Sequence, residues 1–303
     1  LAAWLLKPPP EEPPGAVLRR LLEQEPVVVA PGVFSPLAGV LARRVGFAAA
    51  YVSGAAFSAS LALPDLGLFT LTELVDFVRR VYRACGLPLV VDADTGFGEA
   101  LNVARAVREL EWAGAAAVQL EDQPLPKKCG HLAGKSVVPA EEMARKVAAA
   151  ASARRHTLIV ARTDARAVEG LEGAVRRALL YREAGADVIF PEALESEEEF
   201  GEFARRVGGW LLANMTEFGR SPSLSASRLA ELGYKLVIFP VTALRAAMKA
   251  AEEVLEVLHR EGTQAGVLDR LQTRAELYER IGYHEYELWD AELAGRFREG
   301  GGG

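Results

Sequence analysis

The chain has 303 residues and is 50% hydrophobic, enough to bury a large core and the right length for one barrel-sized domain. Its net charge of −6 provides no basic stripe for a phosphate backbone, so nucleic acid is not an expected partner. No apolar run is long enough to cross a membrane, no basic leader opens the chain, and two cysteines with four scattered histidines suggest neither a disulfide scaffold nor a zinc cluster, so a soluble, cytoplasmic protein is expected.

Taken in chain order, Lys7-Pro-Pro-Pro-Glu-Glu-Pro-Pro-Gly15 cannot continue a helix, because proline lacks a backbone donor and stiffens φ. Residues 1–15 are therefore expected as a proline-rich arm, with a single catalytic domain over 16–303. Short apolar runs then recur, each followed by a loop and a segment of helical period. They place candidate strands at 27–30, 48–52, 89–92, 117–121, 158–161, 188–190, 211–213 and 236–239. Most are continuously apolar, as in a parallel sheet covered on both faces. Helices are predicted over 99–113, 141–154, 172–184, 197–207 and 243–260, with glycine stops such as Gly114 and Gly185. The device Glu111-Trp-Ala-Gly-Ala115 before the fourth strand returns as Arg182-Glu-Ala-Gly-Ala186 before the sixth. Eight such units close most economically as a (β/α)8 TIM-type barrel; an open doubly wound sheet would carry a glycine-rich dinucleotide or phosphate fingerprint, which the chain lacks. After the eighth helix comes an appendage over about 262–295, with an amphipathic stretch at 272–280 and the aromatics Tyr283, Tyr286 and Trp289. It reads as a cap on the barrel or a dock for another subunit, followed by a 300–303 glycine tail expected to be disordered.

In such a barrel the site lies at the C-terminal ends of the strands. Those ends are polar here: Asp92-Ala-Asp94 after the third, Glu121-Asp122-Gln123 after the fourth, Arg162-Thr-Asp164 after the fifth, Pro191-Glu192 after the sixth and Asn214-Met-Thr216-Glu217 after the seventh. Carboxylates converging on one mouth repel one another, and a cation with hard oxygen ligands relieves the repulsion. Asp92, Asp94 and Glu121 are the candidate ligands and Mg2+ the natural ion, with Mn2+ as a substitute; the alternative is that these acids cap helices or pair with Arg162. The loop Lys127-Lys-Cys-Gly-His131 sets the Cys129 thiol among cations that lower a thiol's pKa, and Gly130 permits close backbone approach to a ligand. Cys85, ending a helix, reads as an inert buried thiol. His131 reads equally as an acid or base and as a residue that orients the loop. Tyr51 is the first choice of base and an acid near the metal the second, with core packing as the alternative for Tyr51, and the segment beyond it offers a hydroxyl and backbone N–H groups to a carboxylate. Asn214-Met-Thr216 matches a glycosylation sequon, but at a strand end it reads as a pair of donors for a substrate carboxylate.

Four motifs, Val91-Asp-Ala-Asp-Thr-Gly-Phe-Gly98, Lys127-Lys-Cys-Gly-His131, Asn214-Met-Thr-Glu-Phe-Gly219 and Glu261-Gly-Thr-Gln264 followed by Gln272-Thr-Arg274, resemble the isocitrate lyase and phosphoenolpyruvate mutase superfamily. Within it the chain is similar, over 27–286, to the shorter 2-methylisocitrate lyases of propionate catabolism, in the methylcitrate cycle. The cysteine argues against the phosphonate-forming and hydrolytic branches, and the chain has no room for the insertions of isocitrate lyases. The resemblance implies a divalent-metal-dependent retro-aldol cleavage of (2R,3S)-2-methylisocitrate to pyruvate and succinate. Isocitrate cleavage to glyoxylate and succinate, and phosphonomutase or oxaloacetate hydrolase chemistry, are the alternatives. It further implies Asp92, Asp94 and Glu121 around the metal, and Cys129 as proton donor with Arg162 beside it. Ser53, Gly54, Ala55, Lys127, Gly130, Glu192, Asn214, Met215, Thr216, Arg245 and Arg274 match substrate-contacting positions. Ala55 departs from the glycine of many relatives, which narrows the site by a methyl group. A homotetramer with C-terminal helices exchanged between subunits is also implied.

Overall fold

Eight strands alternate with helices in the computed structural model, which describes residues 4–6, 10–131 and 134–298. The strands are β1 (Val28–Pro31), β2 (Ala50–Val52), β3 (Leu89–Asp92), β4 (Ala115–Glu121), β5 (Leu158–Thr163), β6 (Val188–Pro191), β7 (Trp210–Asn214) and β8 (Leu236–Phe239). All pair in parallel in the order β1-β8-β7-β6-β5-β4-β3-β2, and a parallel bridge between Gly32 and Tyr51 joins the two ends. This is the (β/α)8 barrel that the apolar pattern predicts. The helices are α1 (Pro14–Gln24), α2 (Pro36–Val45), α3 (Gly54–Ser60), α4 (Leu71–Cys85), α5 (Ala100–Ala113), α6 (Ala140–Ala153), α7 (Arg166–Glu183), α8 (Glu197–Val207), α9 (Ala226–Glu231), α10 (Thr242–Glu261), α11 (Arg274–Ile281) and α12 (Tyr283–Arg298).

Several boundaries move for physical reasons. The arm ends sooner than the prolines suggest, because Pro14 already stands at the first position of α1, where a missing N–H is no loss. Residues 1–3 and 7–9 of the arm and the 300–303 tail lie outside the described residues. Helix α7 begins at Arg166 rather than at 172, and Gly170 breaks it with φ 72° and ψ −176°, so the helical period is regular only beyond the break. Strand β5 runs on through Arg162, whose backbone is in register with Glu121 on one side and Phe190 on the other. The guanidinium therefore springs from the rigid ladder instead of from a loop.

Alternation along the strands sorts the core into two shells. The outer shell, between sheet and helices, takes residues such as Val91, Val118, Ile159, Ile189 and Val237. The inner shell fills the barrel with Val28, Val90, Ala117, Val160, Val188, Phe190, Leu212 and Leu236, and Leu18 and Leu22 of α1 belong to it. Helix α1 thus plugs the end where the strands begin. Polar ties hold it there: Arg19 pairs with Asp187 at 3.1 Å, and Lys235 donates to the Glu25 carbonyl at 2.8 Å. Helix α10, the eighth of the ring, behaves differently: Leu244 alone among its residues is buried, while Met248 and Leu255 are exposed. Beyond it, α11 packs on α2, where Arg44 meets Glu279 at 2.9 Å.

Replacing Leu18 with Ala opens a cavity at the centre of the plug and is expected to cost about 2–5 kcal/mol. Urea unfolding should show a lower midpoint at an unchanged m-value; a midpoint equal to that of the parent would remove α1 from the core.

Candidate active site

The strand ends bring three acids together. Asp92 closes β3, Glu121 closes β4, and Asp94 stands in the intervening loop with a left-handed φ of 49°, a conformation that costs energy outside glycine. Asp92 is fixed on both oxygens: Oδ1 accepts from the Asp94 N–H and Oδ2 from the Gly54 N–H, each at 3.1 Å. Gly54 is required by this approach, since a Cβ there would stand 2.9 Å from Asp94 Oδ1 and 3.1 Å from Asp92 Oδ2. The Glu121 N–H in turn donates to the Asp94 carbonyl at 2.9 Å. One carboxylate oxygen from each of Asp92, Asp94 and Glu121 lies within 4.8 Å of the others, and all three residues are buried.

Burial makes this an unfavourable place for negative charge. It pushes Asp94 up to about 7, with neighbouring Asp92 adding to the shift and the Lys127 ammonium opposing it. It pushes Glu121 well above the usual carboxylate range, against the opposing charges of Arg162 and Lys127. Neither carboxylate oxygen of Glu121 has a hydrogen-bond partner among the described residues, and Asp94 Oδ1 has only the Lys127 ion pair at 2.8 Å. Orphaned, buried, hard oxygens at this spacing suit a divalent cation, whose octahedral ligands stand roughly 3–4 Å apart and include water. The residues present fit a metal.

Beside the acids, Arg162 is buried and lies over the Phe190 ring at 5.3 Å, so Phe190 is the floor under the guanidinium within the inner core. Asp164 grips the guanidinium at Nε (2.9 Å) and Nη2 (3.1 Å), and Glu121 stands 3.4 Å from Nη1. Burial works against the Asp164 charge, but Arg162 and Lys135 hold its pKa down at about 2. Glu192 is likewise held below its ordinary value, against burial, by Arg162 and His131. The Arg220 N–H donates to His131 Nδ1 at 3.0 Å, which places the ring proton on Nε2, 2.9 Å from Glu192 Oε1. Asn214 Nδ2 reaches both Glu192 oxygens at 3.3 and 3.4 Å, leaving its Oδ1 without a partner among the described residues.

The cysteine loop is tied down on both sides of the thiol. Gln123, just past β4, accepts from the Lys128 N–H at 3.0 Å and donates to its carbonyl at 2.8 Å. Lys127 is buried and pairs with Asp94 and with Asp65. Gly130 rests on the charged cluster so closely that a Cβ would lie 2.3 Å from Glu192 Oε1 and 2.4 Å from an Arg162 nitrogen. Cys129, half-buried, sits between these contacts, so its backbone is held at the same rim as the acids.

Other residues expected from the sequence are placed as follows. Tyr51 is buried inside the barrel, and its hydroxyl donates to Gln119 Oε1 at 2.9 Å. Burial first, and then Asp92, raise its pKa well above the ordinary value, which favours the protonated phenol and works against the expected role of base. Ser53 and Gly54 begin a helix rather than a loop: the Ser53 hydroxyl accepts from the Ala56 N–H at 3.3 Å, and Ala55 lies within α3. The Met215 side chain enters the outer core and its N–H donates to the Ile238 carbonyl, leaving only the carbonyl for a ligand. Thr216 is half-buried on the next loop, which Arg245 braces from α10 through the Glu217 carbonyl and carboxylate, both at 3.0 Å. Arg274 stands exposed at the head of α11, apart from these contacts. Sequence reasoning missed Asp65 and Lys135. Asp65 follows Pro64 in an ordinary-looking turn, but Asp164 was legible in principle, since residues two apart on a strand end share a face with Arg162.

The family model described as phosphoenolpyruvate phosphomutase matches residues 18–259. The 2-methylisocitrate lyase of Aeropyrum pernix is 60% identical over 282 residues, 93% of this chain and 92% of that protein. That of Bacillus subtilis is 50% identical over 91% of this chain and 92% of its own length. Among solved structures, a 2,3-dimethylmalate lyase described as a member of the PEP mutase/isocitrate lyase superfamily superposes with a TM-score of 0.88 at 36% identity, covering 94% of this chain and 96% of that one. With its barrel, its acidic strand ends and these relatives, the chain belongs to the phosphoenolpyruvate phosphomutase family.

Proposed function

We propose that the protein is a carbon–carbon lyase that cleaves 2-methylisocitrate to pyruvate and succinate. The observation that carries this is the seating of Gly130, next to Cys129, against Arg162 and Glu192, with Lys127 of the same loop paired to Asp94, because a thiol acid there suits a reaction that passes through a carbanion. The identity of 60% and 50% to the 2-methylisocitrate lyases of two organisms supports the same substrate.

Asp92, Asp94 and Glu121 would hold a divalent cation, Mg2+ with Mn2+ as a substitute, and when bound it would supply positive charge to the oxygen that becomes the pyruvate carbonyl. The chain's own groups do the rest. As a carboxylate near the metal site takes the 2-hydroxyl proton and the C2–C3 bond breaks, electrons collect beside a carboxylate of the succinate half. Arg162, fixed on the β5 ladder by Asp164, offers a preorganised charge to that developing anion. Cys129 delivers the proton that completes succinate. Asn214 Oδ1, lacking a partner among the described residues, and Thr216 orient the substrate at the far wall. His131 orients the loop through Glu192 and Arg220, and these contacts support positioning over its other sequence-based reading as an acid or base.

The homotetramer belongs to the same proposal, as does the helical appendage as its means of assembly. The unpacked face of α10 with Met248 and Leu255 gives a second subunit something to cover. The free thiols Cys85 and Cys129 suit a reducing cytoplasm.

Pyruvate release should depend on added divalent cation and be abolished by chelation, with kcat/KM for 2-methylisocitrate exceeding that for isocitrate by about 10–200-fold, the range one methyl group allows. A preference for isocitrate would overturn the assignment. Cys129→Ser should lower kcat by about 100- to 10,000-fold with KM little changed; near-parental turnover would remove the thiol from the reaction. Light scattering should return the mass of four chains, and a monomer at micromolar concentration would contradict the assembly.

A further inference from the structure

Lys135 follows the cysteine loop, and its side chain is 2% exposed. Its ammonium donates to the Gly130 carbonyl and stands 2.7 Å from Asp164 Oδ1. Asp164, itself buried, uses both oxygens on Arg162. A buried ammonium carries a desolvation cost of several kcal/mol that only well-placed partners offset, so a lysine is an expensive way merely to end a loop. The neighbouring ties run elsewhere: Gln123 fastens Lys128 to the end of β4, His131 fastens the loop to Glu192 beyond β6, and Lys128 Nζ returns to the loop's own Gly134 carbonyl at 2.8 Å.

We propose that Lys135 is a positioning residue for the reaction: it ties the carbonyl next to the thiol-bearing residue to the carboxylate that fixes Arg162, so that proton donor and guanidinium share one anchor. Asp164 is the shared point. When the Gly130 carbonyl is seated on Lys135, Cys129 and Arg162 are held in a fixed relation, and the carbanion forms where both can reach it. The tether adds no contact to the substrate. Its loss therefore acts on the arrangement of the reacting groups more than on ground-state binding.

The inference rests on Cys129 as the proton donor, and two independent readouts keep the failure of one from passing for failure of the other. In Lys135→Met, hydrogen exchange measured by mass spectrometry should accelerate about tenfold or more at the backbone amides of Gly130 and His131, with the barrel strands unchanged. This reads the tether whatever Cys129 does. In Lys135→Ala, kcat should fall by up to about 100-fold with KM within about threefold, and added ethylammonium should restore kcat saturably by replacing the missing cation. If the Met variant fails to fold, Lys135→Ala, which likewise offers no donor to the Gly130 carbonyl, takes its place in the exchange measurement. Unchanged exchange at Gly130 and His131 overturns the proposal, as does a loss confined to KM or one that no amine reverses. Should exchange respond while Cys129→Ser stays fully active, the tether stands and the thiol assignment falls.

Discussion

Crowded negative charge in a dry place governs the upper mouth of this barrel. Asp92, Asp94, Glu121, Asp164 and Glu192 are all nearly sealed from solvent, and the cations among them, Arg162, Lys127 and Lys135, are outnumbered. In a medium of low dielectric such an excess must be neutralised by protons or by a bound ion. The two halves of the cluster take different routes. Asp164 and Glu192, next to fixed cations, are held below their ordinary values, whereas Asp94 and Glu121 are driven above theirs. The first half is internally balanced and serves as scaffold. The second is left wanting a cation, and that half could hold a metal ion.

The scaffold that tolerates this arrangement is built from ordinary packing. Two apolar shells, one inside the sheet and one outside, supply stability that the strand ends do not. The loops above them hold left-handed backbone at Asp94, Ala193 and Phe218, each just past a strand that contributes a polar group to the mouth. Strain collected at one rim of an otherwise relaxed barrel marks where geometry has been set by function rather than by folding. Phe218 is one such residue, 96% exposed and with the Arg245 guanidinium over its ring at 5.5 Å.

The barrel was legible because a strand buried on both faces reads as a continuous apolar run, and β3 and β8 fall at their expected residues. The acidic triad was legible for a related reason, since charged residues directly after such runs stand out against an apolar background. What escaped were relations between distant segments. Nothing local to Asp65 or Lys135 announces that one pairs with Lys127 and the other with Asp164, because both pairings are made by chain closure. Tyr51 is the opposite case: its strand predicts burial, and burial works against the phenolate that a base would have to be. Likewise Arg162 was expected just outside its strand, although backbone pairing to Glu121 and Phe190 keeps it inside.

The plug formed by Leu18 and Leu22 bears on traffic through the molecule. With the lower end filled by apolar side chains, one substrate arrives and two fragments depart by the same upper doorway.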